Sequence, residues 1–215
     1  MGGTGTRARV GPRERRKLEA RRALSDAALR LFARKGYEAT TIGEIARAAG
    51  YSPRTFFRYF RSKDDVVFGN GRDYPDLVLA CLLRRPPSET PFEALAEALV
   101  DHCAVLDEQP EAVLARVRLI ESSQPLRARR ADEMTALAAV LASGLAARGG
   151  RSEPGDRDRL AAALAVAAFA CATEAWCERG GSGSLAGATR AMLDGVVREV
   201  CGARRTPPSS EERPT

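Results

Sequence analysis

The chain has 215 residues, of which 44% are hydrophobic, 29% charged and 6% aromatic, a composition typical of a globular protein with one or two modest cores. Residues 1–63 contain 16 Lys and Arg against 5 Asp and Glu, a net charge of +11, whereas residues 64–215 have a net charge of −5. This asymmetry predicts that the first third binds a polyanion. One histidine and five cysteines without a C-x-x-C pair argue against a zinc site of the usual spacing and against a disulfide framework.

Residues 1–12 contain four glycines and no periodic apolar positions, which predicts a disordered arm. The N-terminus lacks an apolar stretch that could act as a secretory signal. The least charged stretch, residues 160–177, is interrupted by Glu174 and consists mostly of alanine. It is too weakly apolar for a membrane span, so we expect a buried helix, no membrane partner and a cytoplasmic protein.

Three helices are predicted in the first third. The first runs over residues 13–34, because apolar side chains repeat there at intervals of three and four, and Gly36 follows a basic last turn. Thr40 or Thr41 caps a short second helix that ends at Gly50. The third runs over residues 53–59, with Ser52 as its N-cap and proline at its first position.

The second and third helices are separated only by Gly50, Tyr51 and Ser52, and a short turn with glycine is typical of a helix-turn-helix motif. From the spacing alone, a three-helix domain that merely packs is about equally compatible. The concentration of positive charge favours DNA binding, in which the third helix enters the major groove.

Residues 27–66 contain Gly36-Tyr37, Thr40-Thr41, Ala49-Gly50 and the string Thr55-Phe56-Phe57-Arg58-Tyr59-Phe60 followed by Ser62-Lys63. This pattern resembles the N-terminal domain of the tetracycline-repressor (TetR) family. That string is similar to regulators of the mycofactocin-system type. The resemblance implies a DNA-binding transcriptional regulator, usually a repressor, in which a variable helical domain binds a ligand and dimerises.

Within the third helix, Arg54 and Arg58 lie four residues apart, on a different face from Phe56 and Phe60. We expect the two phenylalanines to form the core of the domain. A guanidinium binds guanine bidentately or neutralises a phosphate, so we predict that Arg54 contacts bases and that Arg58 reaches bases or only the backbone. For either arginine the alternative is a solvated surface residue.

Other contacts follow from the family resemblance. The family commonly has tyrosine at the position of Phe57, so Phe57 is expected to contact a thymine methyl or a sugar, with Tyr59 binding phosphate instead. Thr41, Thr55 and Lys63 are implied to contact the backbone. Free N–H groups at helix starts favour phosphate independently at Thr41 and Lys63.

The basic residues around the start of the first helix are expected to follow phosphates or to enter a minor groove, rather than being merely solvated. Arg54 stands where many relatives have glycine, so no base preference transfers to this chain. The predicted DNA-binding residues are Arg13, Arg15, Arg16, Thr41, Ser52, Pro53, Arg54, Thr55, Phe57, Arg58, Tyr59 and Lys63.

The rest of the chain predicts further helices, about nine in all, and no strand. A long irregular helix follows Lys63, Thr90-Pro91-Phe92-Glu93 is a capping box, and Pro110 and Pro125 each open a helix. The expected organisation is an all-α protein with an arm over 1–12, a helix-turn-helix domain over 13–62, a ligand-binding and dimerisation domain over 63–203 and a disordered tail over 204–215.

The last two predicted helices, residues 160–178 and 185–200, are expected to form a four-helix interface with a second copy of the chain. A helix that is apolar on every side must be buried, and a single chain does not easily cover both sides. A monomeric core helix is the alternative. The resemblance to TetR-family proteins implies the same homodimer.

The predicted ligand site takes residues from apolar stripes that face inward, although core packing explains each of them equally well. The resemblance to mycofactocin-type regulators points to an acyl or acyl-CoA ligand. The predicted lining is His102, Leu106, Arg116, Val117, Ile120, Met134, Phe169, Thr173 and Trp176.

Two other function classes remain as alternatives: a sequence-neutral architectural DNA-binding protein and, less favoured, a helical-bundle enzyme. The sequence has no phosphate-binding glycine loop and no metal-ligand cluster, so we expect no cofactor and no metal site. Glu121 and Glu174 are isolated carboxylates, which do not suffice for acid–base catalysis. The architectural alternative leaves the large acidic part unexplained.

Overall fold

The structure is a computed structural model that describes residues 11–68 and 73–202. Within these ranges every regular element is an α-helix, which confirms the all-α prediction, and there are ten helices instead of about nine. They are α1 (Pro12–Lys35), α2 (Ile42–Ala48), α3 (Pro53–Tyr59), α4 (Asp64–Phe68), α5 (Asp73–Arg84), α6 (Pro91–Leu106), α7 (Pro110–Glu121), α8 (Gln124–Arg148), α9 (Asp156–Glu178) and α10 (Leu185–Gly202).

The extra helix arises after Lys63, where the sequence analysis predicted one long irregular helix. The structure has the short helix α4 followed by a separate helix α5. Gly69 and Gly71 lie in the intervening sequence, and glycine is the poorest helix former apart from proline. The predicted arm over 1–12, apart from Gly11 and Pro12, and the predicted tail over 204–215 lie outside the described residues.

The described chain divides into two compact units. The first unit contains the described residues up to Asp73 together with Arg118–Arg130, and the second contains Tyr74–Val117 together with the described residues from Ala131 onward. The sequence analysis assigned residues 118–130 to the second domain. Ile120 and Leu126, however, are buried in the same hydrophobic cluster as Phe56 and Phe60 of the first unit. This segment therefore belongs to the first unit, because its apolar side chains are buried there.

Local hydrogen bonds explain the ends of the helices in the first unit. Thr41 is the N-cap of α2, where its hydroxyl accepts a hydrogen bond from the Glu44 N–H and the Glu44 carboxylate accepts one from the Thr41 N–H. Lys35 also binds Glu44, and this bond with the two Thr41 bonds lowers the pKa of Glu44 to about 2. Gly50 ends α2 with φ of 76°, a conformation that glycine adopts readily.

The second unit has its own core, in which α10 packs against both α6 and α9. The predicted capping box at Thr90 and Glu93 is present at the start of α6. In α9, the large side chains Phe169 and Trp176 and several alanines are buried in this core. By length and composition α9 is the one helix among the described residues that could cross a membrane. Its buried face places it instead among the core helices of this unit.

Candidate nucleic-acid interface and ligand site

Helix α3 is fixed at its start by local capping. The Ser52 hydroxyl accepts a hydrogen bond from the Thr55 N–H at 3.2 Å and lies 3.0 Å from the Thr55 hydroxyl, and Pro53 occupies the first turn. Both predicted features of this helix start, the serine cap and the proline, are therefore present. The hydroxyls of Ser52 and Thr55 are engaged with each other at the helix start.

Buried aromatic residues orient α3. Phe56 is fully buried and Phe60 is 2% exposed, with their ring centroids 5.3 Å apart. Phe57, the next residue, is 56% exposed, and Arg54 is exposed without a hydrogen bond or ion pair to any described residue. The face opposite the core therefore presents a guanidinium and an aromatic ring to solvent, as the helical spacing predicted.

Arg58 and Tyr59 interact with each other at the end of α3. The guanidinium of Arg58 donates to the Tyr59 hydroxyl at 2.7 Å and its carbon lies 4.9 Å from the centre of the Tyr59 ring. Arg58 is exposed, and Tyr59 is half-buried at the edge of the core. After the bond to Tyr59, Arg58 still has N–H groups that can donate hydrogen bonds, because a guanidinium has five N–H donors.

Lys63 makes contacts within the first unit that the sequence did not predict. Its ammonium donates to the carbonyl oxygens of Tyr37 at 2.8 Å and of Glu38 and Thr40 at 3.3 Å. It also lies 4.1 Å from the centre of the Tyr37 ring. These three carbonyls belong to the connection between α1 and α2. Lys63 therefore holds that connection in place, and its donors are engaged within the first unit.

The remaining predicted DNA contacts lie on α1 and α2. Arg15 and Arg16 are exposed on the second turn of α1, whereas the side chain of Arg13 lies outside the described residues. Thr41 is exposed, but its hydroxyl is engaged in the cap of α2.

One exposed residue beside α3 was not predicted as a site residue. Tyr51 stands in the turn directly before the N-cap of α3 and is 37% exposed, while its N–H donates to the Ala46 carbonyl oxygen at 2.8 Å. Its backbone is therefore fixed while its side chain meets solvent. The sequence did contain a signal for this residue, because Tyr51 is an aromatic residue between Gly50 and Ser52 in the turn of the helix-turn-helix motif.

In the second unit, the rings of His102 from α6, Tyr74 from α5 and Phe169 from α9 form one cluster. The ring of Tyr74 from α5 lies edge-on to the imidazole with centroids 4.6 Å apart, and the same tyrosine stacks on Phe169 of α9 at 6.3 Å. His102 is 7% exposed, and its Nε2 atom is buried without a hydrogen-bond partner among the described residues. Burial, and secondarily the charge of Arg116, lower the pKa of His102 to about 4. The imidazole is therefore neutral at pH 7.

Arg116 on α7 belongs to the same cluster. It is partly buried and has no ion pair or hydrogen bond with the described residues. Its burial lowers its pKa, which the phenol of Tyr74 partly offsets. Arg116 therefore interacts electrostatically with both His102 and Tyr74.

The other predicted lining residues fall into three groups. Val117, Leu106 and Met134 pack in the core of the second unit. Thr173 and Trp176 are buried with their donors engaged, since the Thr173 hydroxyl donates to the Phe169 carbonyl at 2.8 Å and the Trp176 indole to the Gly183 carbonyl at 2.9 Å. Ile120 is a correction, because it lies in the core of the first unit, apart from the others.

Two family descriptions match most of this architecture. The family model described as "Bacterial regulatory proteins, tetR family" matches residues 24–68, which contain α2 and α3. The model described as "MftR C-terminal domain" matches residues 89–200. The chain belongs to the TetR family. This confirms the resemblance found in residues 27–66, including its mycofactocin-type subgroup. TetR-family proteins are transcriptional regulators, not enzymes.

Among TetR-family relatives, the HTH-type transcriptional regulator TcmR of Streptomyces glaucescens is 37% identical over 143 residues. That alignment covers 62% of this chain and 63% of TcmR, so the chain matches less than two thirds of the relative's length.

Solved TetR-family structures share the fold at low sequence identity. The complex of triclosan with SmeT, the repressor of a multidrug efflux pump of Stenotrophomonas maltophilia, has a TM-score of 0.59 at 17% identity, covering 91% of this chain and 98% of that one. FadR of Thermus thermophilus with lauroyl-CoA has a TM-score of 0.54 at 22% identity, covering 90% and 100%.

Proposed function

We propose that this TetR-family chain is a homodimeric, cytoplasmic repressor that binds a near-palindromic operator through α3 and leaves it when a small apolar or amphipathic ligand binds the second unit. The observation that favours this most is the outward face of α3. Arg54 and Phe57 are exposed there on a helix whose opposite face is anchored by Phe56 and Phe60.

DNA recognition in this proposal divides between two kinds of contact. Arg54, unengaged and in the first turn of α3, reads base edges, and Phe57 contacts a thymine methyl or a sugar. The Arg58 and Tyr59 pair, with Arg15 and Arg16 on α1, binds phosphates together with the exposed Tyr51. Phosphate contacts fix the register and supply the salt-dependent part of the affinity, whereas base contacts supply the preference for one sequence.

The dimer is formed by α9 and α10. Leu160, Ala163, Ala167 and Cys171 recur on α9 at intervals of three and four, and all four are exposed in the single chain, Leu160 by 62%. Small side chains on one face allow a second helix to approach closely. On α10, Met192 and Val197 are also exposed. A two-fold axis through these helices gives two copies of α3, which is why the operator is expected to be near-palindromic with half-sites about 34–36 Å apart or slightly more.

Release requires a ligand that binds more tightly to the conformation in which the distance between the two α3 helices does not fit the operator. A ligand shifts the equilibrium between two conformations only by its difference in affinity for them. The solved relatives with lauroyl-CoA and triclosan bound are compatible with an amphipathic or apolar ligand. An acyl or acyl-CoA ligand remains the proposed class.

The test is a comparison of operator and random duplex DNA at one fixed salt concentration. The purified full chain is titrated against duplexes from the region around its own gene and against a random duplex of equal length. We expect at least a 1,000-fold preference for one near-palindromic site, about the lower end for specific DNA-binding proteins. Equal affinity for both duplexes would favour the architectural DNA-binding alternative instead.

The matched variants are Arg54→Ala and Arg157→Ala. Arg54→Ala is expected to lower operator affinity about 5- to 150-fold while changing random-duplex affinity little, since one bidentate base contact contributes about 1–3 kcal/mol. Arg157 is an exposed arginine of the second unit, so its variant controls for the loss of one positive charge. An equal loss of affinity for both duplexes would assign Arg54 to a phosphate.

A further inference from the structure

The cluster around His102 differs from the two buried carboxylates in the described structure. Buried Asp65 is paired with Arg129 at 3.4 Å and with the Arg61 N–H at 2.8 Å. Buried Asp158 is likewise paired with the Arg151 guanidinium. Arg116 has no such partner among the described residues, although burial disfavours its charge.

A second unsatisfied group lies beside it. The Nε2 atom of His102 is buried without a hydrogen-bond partner in the described structure, on a residue that is only 7% exposed. Leaving such a nitrogen unpaired in a protein interior is unfavourable, because the hydrogen bond that it makes with water in the unfolded chain is lost. A partly buried guanidinium without a partner among the described residues and a buried, unpaired imidazole nitrogen with which it interacts electrostatically therefore indicate a missing hydrogen-bonding partner with negative charge.

We infer that Arg116 and His102 form the binding site for the carboxylate of the ligand, with its apolar part against Tyr74 and Phe169. This inference rests on the proposed ligand-responsive function and narrows its acyl ligand to a free acid, because a CoA thioester has no carboxylate. The four residues come from α7, α6, α5 and α9. A ligand held there bridges four helices of the second unit.

The charges favour a carboxylate over a phosphate monoester. One guanidinium neutralises one negative charge and binds the two oxygens of a carboxylate through two parallel N–H groups. Neutral His102 adds a hydrogen bond from Nε2–H without adding charge. A phosphate dianion would leave one negative charge uncompensated among apolar side chains, which is costly.

The experiment uses the full chain without DNA and five probes. Decanoate and 2-naphthoate carry a carboxylate, their methyl esters are the neutral matches, and decyl phosphate is the dianionic match. Binding is followed by thermal shift and by the fluorescence of Trp176, the only tryptophan of the chain. We expect at least one carboxylate to bind at least tenfold more tightly than its ester and than decyl phosphate.

Three variants connect this preference to the site. Arg116→Met keeps an apolar stem without the guanidinium and its charge, and is expected to abolish the preference for the carboxylate over its ester. Arg116→Lys is expected to retain part of it. Arg118→Met removes an exposed arginine two residues away on the same helix and is expected to bind all probes as the wild type does.

The ligand-free variants give a readout that does not depend on the choice of probe. If Arg116 is an uncompensated charge, Arg116→Met is at least as stable to heat as the wild type. A marked loss of stability would identify Arg116 as a structural residue and overturn the inference. So would the failure of both carboxylates to bind, equal binding of the ester or tighter binding of decyl phosphate.

Failure of this inference is separable from failure of the proposed function. A chain that prefers its operator and ignores both carboxylates contradicts only the ligand class. A chain that binds carboxylate through Arg116 and shows no preference among duplexes contradicts only the repressor function.

Discussion

The ammonium group of Lys63 lies 2.8 Å from the carbonyl oxygen of Tyr37 and 4.1 Å from the centre of the Tyr37 ring. The same tyrosine donates a hydrogen bond from its hydroxyl to Asp64, and burial is the main reason why its pKa is raised. Two consecutive residues at the start of α4 thus bind Tyr37: Lys63 contacts its carbonyl oxygen and its ring, and Asp64 accepts a hydrogen bond from its hydroxyl. This arrangement fixes the connection between α1 and α2, and through it the position of the helix-turn-helix motif.

The first prediction concerns this contact. Lys63→Met removes the ammonium but keeps most of the stem, and it leaves three carbonyl oxygens without their charged donor. We expect the free energy of unfolding to fall by about 2 kcal/mol, the usual size for hydrogen bonds to a charged group. Urea unfolding measures it, with Arg61→Met as the control because Arg61 is exposed nearby. A variant of unchanged stability with a weaker salt dependence of DNA binding would restore the phosphate role.

The second prediction concerns Asp107, which follows the last residue of α6 and caps α10. Its carboxylate accepts hydrogen bonds from the Leu185 N–H at 2.7 Å, the Ala186 N–H at 3.1 Å and the Ser184 hydroxyl at 2.7 Å. Asp107→Ala removes this cap and its favourable charge at a helix start, so we expect a loss of about 2 kcal/mol. Chemical denaturation tests it against Glu108→Ala, an exposed neighbour. Equal stability of the two variants contradicts the assignment.

The third prediction tests the proposed dimer. Ala167→Glu places a charge in the middle of the exposed apolar face of α9, where a second copy would have to bury it. We expect the chain to become a monomer in light scattering and to lose affinity for the operator, while Ala136→Glu, at an exposed alanine of α8, remains a dimer.

Cysteine labelling provides an independent check of the same surface. Cys171 is exposed on α9 in the single chain. In a dimer formed by α9 its alkylation should be slow, and it should become fast in Ala167→Glu. Fast labelling in the wild-type dimer would place the interface elsewhere.

The fourth prediction uses the fact that His102 is the only histidine. Its pKa is about 4 in the folded chain because of burial and Arg116, against 6.5 when exposed. Between these values the unfolded chain binds more protons, so the histidine's contribution to stability decreases as pH falls from 6.5 to 4. The expected loss is about 3 kcal/mol relative to a His102→Gln variant measured at the same pH values. A single imidazole resonance by NMR reports the folded pKa directly, and titration near 6.5 contradicts the burial of this group.

The sequence was sufficient for the first three helices and for the outward face of α3. Ser52 and Pro53 start that helix through hydrogen bonds within four residues, and the alternation of Arg54 and Phe56 follows from the period of the helix. The capping boxes at Thr41 and Thr90 are equally local, so they were readable from residue types and spacing.

Other features required the tertiary structure because they join residues far apart in the chain. Lys63 binds carbonyls 23 to 26 residues earlier, and Ile120 lies in the core of the first unit, although the sequence placed both in the second domain. The lack of a partner for Arg116 among the residues that the structure describes is also a tertiary property, because residue type gives the charge but not its neighbours. The sequence by itself therefore determined the local geometry, the hydrophobic periodicity and the excess of positive charge in the first third. Tertiary packing decided which buried polar groups have a hydrogen-bond partner within the protein and which have none among the described residues.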